Sequence, residues 1–341
     1  MQVTATVTAV GGTAGGGGAP RHTDDLQWQL RLVVRASRVA DPLAAPHGVA
    51  LVLERGHYLT PALRHALHVG ITRGVAALAP ADALALLAVD REVTRLAPVT
   101  QVGTDTAWVA GGLEGVAPGD GANLCGGWLR ARQLLDDAPW IVGQHAASTR
   151  RIVLCATGHI DTGITDLSTL VELARSAHHR GIGTSVLALG PNANHPLLQA
   201  MAAAGGGRCH PVATAAEVTA ALAAERWEWG RRALRGVSVR LRPSEGVTLE
   251  DGPDDAPNSG ASRRRADGAT GHAVTIGELQ SEEEAALALV IRCPVAQAGR
   301  LRAAQAPLLV AHVEGERFTA RGGTDYRTVV VPVHLPAGLP A

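Results

Sequence analysis

The chain has 341 residues, 46% of them hydrophobic, which is enough for about two domains with buried cores. Its 31 acidic residues balance 31 basic ones, every one of them arginine. The absence of lysine excludes a phosphate-loop lysine, Schiff-base chemistry and pyridoxal-phosphate anchoring, and with no long strongly basic stretch the nucleic-acid footprint is weak.

Residues 2–10 alternate in the manner of a half-buried strand, and Leu26 to Ser37 does so again after a glycine-rich connection from Gly11 to Asp25. Gly48 to Leu53 is an unbroken apolar run suited to a buried parallel strand. A helix is predicted from Thr60 to Leu78. Thr60 caps it, Pro61 fits its first turn, and Leu63, Leu67, Ile71, Val75 and Leu78 form its buried stripe, leaving His65 and His68 toward solvent. Residues 80–99 read as strand, turn, strand, and GANL at Gly121 to Leu124 opens a helix through Leu135. Two further strands follow, the stretch RRIVLCATG ending at Gly158 and Gly181 to Gly190, and then residues 195–212 read as helix, glycine turn and strand.

Thr214 to Leu234 is predicted to be a helix bridging two domains, with Val218, Leu222 and Trp229 on one side. Trp227 and Trp229 are expected to seal the junction, the alternative being a partner hot spot. Beyond it, Gly236 to Leu249, His272 to Leu279, Ala285 to Pro294, Pro307 to Val313 and Tyr326 to Leu335 read as short strands of a β-sandwich. The polar segment around Arg263 to Arg265 reads as a solvated loop.

The ordered series from Gly48 to Val212 resembles the von Willebrand factor type A (VWA) domain: its first strand and loop, its proline–aspartate strand pair, its GTNL loop at GANL, and its TDG turn at Thr157 and Gly158. The resemblance implies a doubly wound, mostly parallel α/β sheet, inserted into an all-β sandwich formed by both chain ends. The expected divisions are residues 1–44 for the first sandwich strands, 45–225 for the VWA-like domain, and 226–341 for the linking helix and the rest of the sandwich. Family members hold a divalent ion with an Asp-x-Ser-x-Ser loop, a threonine from a second loop and an aspartate from a third. Here the first loop reads Glu54, Arg55, Gly56, His57, Tyr58, the threonine position carries Ala122, and the aspartate position carries Thr157. One carboxylate cannot satisfy Mg²⁺, so no metal and no cofactor are expected.

The candidate partner-binding face is therefore the set of former metal loops: Glu54, Arg55, Gly56, His57 and Tyr58, then Asp120, Ala122 and Asn123, then Thr157, His159 and Asp161. Arg55 is expected to offer its guanidinium to a partner's carboxylate in place of the ion. The expected function is a non-enzymatic protein-binding module or adaptor. The alternative is a metal- or histidine-dependent small-molecule or hydrolytic site on the same face, using His57, Asp120, His159 and Asp161, with Glu54 in a replacement zinc-type ligand set. No GxSxG, GxGxxG, HExxH or paired CxxC motif supports catalysis. Partners implied by the resemblance are proteins, such as an AAA+ ATPase or another member of a multi-protein assembly in a bacterium, with neither nucleic acid nor membrane. Cys125, Cys155, Cys209 and Cys293 lack paired spacing, the stretch MQVTATVTAVGG lacks the basic start and apolar core of a signal peptide, and no apolar run is long enough to span a bilayer, so a cytoplasmic location is expected.

Overall fold

The computed structural model describes residues 1–9, 25–39, 46–114, 116–138, 149–251, 272–318 and 324–336. The glycine-rich connection after residue 10 and the arginine cluster at 263–265 lie outside them. The chain divides into two compact units, one made of Met1–Ala40, Arg231–Phe318 and Thr324–Ala341, the other of Asp41–Gly230.

The second unit is a layered α/β structure. Its strands are β3 (Gly48–Glu54), β4 (Ala83–Val89), β5 (Val93–Gln101), β6 (Arg150–Ala156), β7 (Ile182–Leu189) and β8 (Cys209–Val212). They lie in the order β5-β4-β3-β6-β7-β8, with β5 antiparallel to β4 and the others parallel. β3, β4 and β7 are buried at every residue, as expected of strands covered on both faces. One face packs under α1 (Pro61–Gly74), α2 (Ala107–Glu114) and α6 (Ala215–Gly230); the other packs under α3 (Leu124–Asp137), α4 (Leu167–His179) and α5 (His195–Ala204).

Local chemistry sets these helices. The Thr60 hydroxyl accepts the Leu63 N–H at the start of α1, and Asn123 Oδ1 accepts the Gly126 N–H at the start of α3. α1 is shorter than its sequence stripe implies: it closes at Gly74 and tightens into a 3₁₀ turn at Val75–Ala77. Gly70 and Gly74, one turn apart, explain its close approach to α6, since a Cβ on either would fall 2.5 Å from Val218 or 2.6 Å from Leu222. Of the two off-stripe histidines, His65 is exposed, but His68 is half-buried, and burial lowers its pKa.

α6 begins with a reciprocal cap, Thr214 Oγ1 accepting the Glu217 N–H while Glu217 accepts the Thr214 N–H. It stops at Gly230 rather than Leu234, and belongs wholly to the α/β unit, whereas the expected division fell at residue 225. Trp229 is buried in this unit's own core and donates to Glu225, while Trp227 is 48% exposed.

The first unit is all antiparallel β with one helix among its described residues, α7 (Val295–Ala303). One sheet runs β1-β2-β12-β10, from Gln2–Ala9, Asp25–Arg35, Glu284–Pro294 and Thr248–Asp251; the other runs β11-β9-β13-β14, from His272–Gln280, Arg232–Pro243, Leu309–Phe318 and Thr324–Val333. β2 pairs with β1 on one side and with β12 on the other, so the two chain ends form one sandwich. The inward positions Trp28, Leu30, Leu32 and Val34 share its core with Val237, Val239, Leu289 and Val313. Among the described residues no helix is long and apolar enough to cross a membrane.

Candidate functional site at the carboxyl edge of the parallel sheet

In a sheet of this type, ligands gather at the carboxyl ends of the strands. The parallel register sets Glu54 of β3 beside Val89 of β4, and Leu53 beside Cys155 of β6. The loops that leave these strands therefore meet: 55–60 after β3, 90–92 after β4, and 157–166 after β6. The segment 119–123 before α3 joins them, its Asn123 N–H donating to the Asp90 carbonyl at 2.7 Å.

Glu54 is buried, and its carboxylate accepts from Thr157. Oε2 accepts the Thr157 N–H at 2.6 Å, and both oxygens lie within 3.0 Å of the Thr157 hydroxyl, which donates to them. Burial raises the Glu54 pKa, against the opposing pull of those bonds. Arg55 is turned inward. Its Nη2 stands 3.0 Å from Asp90 Oδ2 and donates to Thr94 Oγ1 at 3.1 Å, so its carboxylate comes from the chain itself. This corrects the expectation that Arg55 displays a free guanidinium to a partner; the charge at 55 is neutralised by Asp90 of the neighbouring loop.

Gly56 allows the 119–123 segment to close over the first loop. A Cβ at 56 would sit 1.9 Å from the Gly121 carbonyl oxygen, so a serine there would force that loop to move. Gly121 itself has a φ of +76°, and a Cβ on it would meet Arg91 and Asp161. Ala122 donates its N–H to Asp161 Oδ1 at 2.8 Å, and Thr162 donates its hydroxyl to the same oxygen at 2.9 Å. Those two bonds hold the exposed Asp161 carboxyl below the usual range. Asn123 is spent on the cap of α3.

Three side chains of the candidate set form an open row of rings. Tyr58 stacks on His159 with ring centres 4.7 Å apart and planes at 14°, and lies 4.0 Å from the His57 ring. His57 Nδ1 stands 3.1 Å from Asp120 Oδ1, and the other oxygen of Asp120 pairs with Arg91 at 3.1 Å. Arg91 was not singled out by the sequence reading, although it directly follows the Asp90 that neutralises Arg55.

The donors present do not fit a magnesium ion, which needs several oxygens in near-octahedral array. Positions 56 and 122 carry no side-chain oxygen, Glu54 is occupied by Thr157, and position 58 contributes a stacked ring. Nor are Glu54, His57, His159 and Asp161 gathered as a replacement set: among the described residues, no group of three or more His, Cys, Asp or Glu side chains is placed to hold a metal ion.

The sequence matches no family model and no curated protein. Its structure is similar to that of a von Willebrand factor type A protein from Catenulispora acidiphila, with a TM-score of 0.59 at 10% identity, covering 97% of this chain and 73% of that one. It is also similar to the ArnB paralog VWA2 from Sulfolobus acidocaldarius, at TM-score 0.47 and 10% identity over 97% and 75% of the two chains. A third similar structure is the pilus adhesin SpaC from Lactobacillus rhamnosus GG, at 0.45 and 11% over 97% and 47%. Identities this low speak to architecture alone. The chain has the von Willebrand factor type A fold, joined to a β-sandwich built from both of its ends.

Proposed function

We propose that this protein is a non-enzymatic interaction module that binds a protein partner through the carboxyl-edge loops without a metal ion. The observation that carries this reading is the exposed stack of Tyr58 on His159, which joins the first and third loops above a Glu54 carboxylate already consumed by Thr157. A tyrosine held rigid between neighbouring rings loses little entropy on contact, and such residues anchor protein interfaces. Arg91 and Asp120 supply a charged rim, and the partner is a member of a larger assembly, an AAA+ ATPase being one candidate.

The geometry gives little to a hydrolytic reading. His57 meets Asp120 and the Gly121 N–H, while His159 meets a Thr157 hydroxyl that already donates to Glu54 and is 3% exposed. A nucleophile must reach its substrate, and Thr157 is out of reach.

The test is affinity capture with the full chain, with and without EDTA, beside a Tyr58→Ala variant. A specific partner is expected to be retained in EDTA and to bind Tyr58→Ala with a loss of about 2 kcal/mol, the scale of an interface hot spot. A partner stripped by EDTA, or one indifferent to Tyr58→Ala, contradicts the proposal.

A further inference from the structure

The loops that meet at the carboxyl edge are acidic, although the chain as a whole balances 31 acids with 31 arginines. Arg55 and Asp90 cancel each other, and Arg91 pairs with Asp120. Glu92, Asp161 and Asp166 are exposed, and none of them has an arginine partner among the described residues. A negative surplus on a docking face selects a partner of opposite charge.

Asp161 is held in place and left half used. Its Oδ1 takes both the Ala122 N–H and the Thr162 hydroxyl, whereas no donor among the described residues reaches Oδ2. The bonds on Oδ1 keep the carboxyl charged. The group also lies beside the row of rings. It follows His159 by two residues, and Gly121 joins it to the first loop: the Gly121 N–H donates to His57 Nδ1 at 3.2 Å, and a Cβ on Gly121 would fall 2.9 Å from Asp161 Oδ1. Tyr58 is 36% exposed, and Ile164, three residues beyond Asp161, is 39% exposed.

We propose, on the reading of this face as a protein-binding surface, that the partner presents an arginine to it, the guanidinium lying against the Tyr58–His159 stack and donating to Asp161 Oδ2. A guanidinium is planar and weakly hydrated, so it packs on rings and donates to a carboxylate at once. A lysine ammonium is a strongly hydrated point charge and fits the pair less well. Ile164 offers apolar surface to the methylene stem of the arginine. An acidic partner segment would meet Glu92, Asp161 and Asp166 with like charge.

The test is fluorescence polarisation of three labelled peptides of one length, alternating glycine with arginine, lysine or glutamate, titrated with the full chain at low salt. The arginine peptide is expected to bind most tightly and to be released as salt is raised. Asp161→Asn should weaken it about tenfold or more, the scale of a hydrogen bond to a charged group. Asparagine keeps an oxygen for Ala122 and Thr162, so this change removes the charge and leaves the loop bonded. Tyr58→Ala should weaken it about two- to fivefold, the scale of an exposed cation–π contact. The proposal is overturned by preference for the glutamate peptide, by equal binding of the lysine peptide, by no binding of any, or by arginine binding that neither variant moves. An unchanged far-ultraviolet spectrum checks that the variants fold; if Tyr58→Ala does not, Asp161→Asn decides alone. Affinity capture separates this proposal from the reading beneath it. A partner weakened by Tyr58→Ala but held at full strength by Asp161→Asn defeats the arginine and leaves the protein-binding face standing, whereas a partner indifferent to both defeats the face itself.

Discussion

Replacing Asp82 by alanine should remove about 3–5 kcal/mol from the stability of the α/β unit, the cost of breaking a buried ion pair by deleting one partner. The Asp82 and Arg226 side chains are 0% and 1% exposed, with Arg226 Nε at 2.6 Å from Oδ2 and Nη2 at 3.3 Å from Oδ1. Asp82 also accepts the backbone N–H of His47 and of Ala79, each at 2.8 Å. Its loss therefore takes the carboxylate from the Arg226 guanidinium and strands two amides at the amino edge of the sheet. Arg226→Met should cost less, because the carboxylate keeps both amide donors. The double variant should cost less than the sum of the two, since each single change already breaks the ion pair. Urea unfolding followed by tryptophan fluorescence reads all three, Trp229 lying one turn from Arg226. Unfolding energies of proteins run to about 5–15 kcal/mol, so the larger change is a sizeable share of the total. A loss below about 1 kcal/mol for Asp82→Ala would place the pair with ordinary surface ion pairs and contradict its structural role.

The second large effect is expected at Trp128. Its side chain is 1% exposed in the core between α3 and the sheet, and its indole N–H donates to the Thr184 hydroxyl at 3.0 Å. The neighbouring Gly127 lets the helix backbone come so close that a Cβ there would fall 2.8 Å from Val52. Because α3 already sits against the strands at Gly127, it cannot settle further into a vacated space. Trp128→Ala should thus leave a cavity and cost about 3–5 kcal/mol in the same urea experiment. Trp128→Phe keeps most of the apolar surface and strands only the buried Thr184 hydroxyl, so about 1–3 kcal/mol is expected. Equal losses for both would mean that the hydrogen bond, not the packing, holds the helix.

The elements that were legible in the sequence were those with a clear period or an unbroken apolar run. β3, β4, β7 and β12 announce themselves by largely apolar runs, and β2 by alternation along its first half. The helices α2, α4 and α7 had no such signal. α4 was within reach through its cap, where Asp166 accepts from Ser168 and from the Thr169 hydroxyl and N–H, bonds that hold its carboxyl at about 2. The overrun of α6 came from Arg231 to Leu234, good helix formers of which Arg232 to Leu234 are drawn into β9 by pairing with β11 and β13.

The face itself was half legible. Its loops were correctly ordered by their resemblance to the family, but the fate of each side chain depended on register. Since Glu54 is level with Val89, Arg55 is level with Asp90, and this pairing across 35 positions turns the guanidinium inward. The contact of Tyr58 with His159 depends on two loop paths that no local pattern encodes.

The most direct test of a metal-free face is calorimetric titration of the purified chain with Mg²⁺, Mn²⁺ and Zn²⁺, with metal analysis of the protein as isolated. The account predicts no stoichiometric binding and no bound metal, because Glu54 is held by Thr157 and positions 56 and 122 have no side-chain oxygen to offer. Saturable one-to-one binding that is lost in Glu54→Gln would contradict it, and would return the carboxyl-edge loops to metal-dependent recognition.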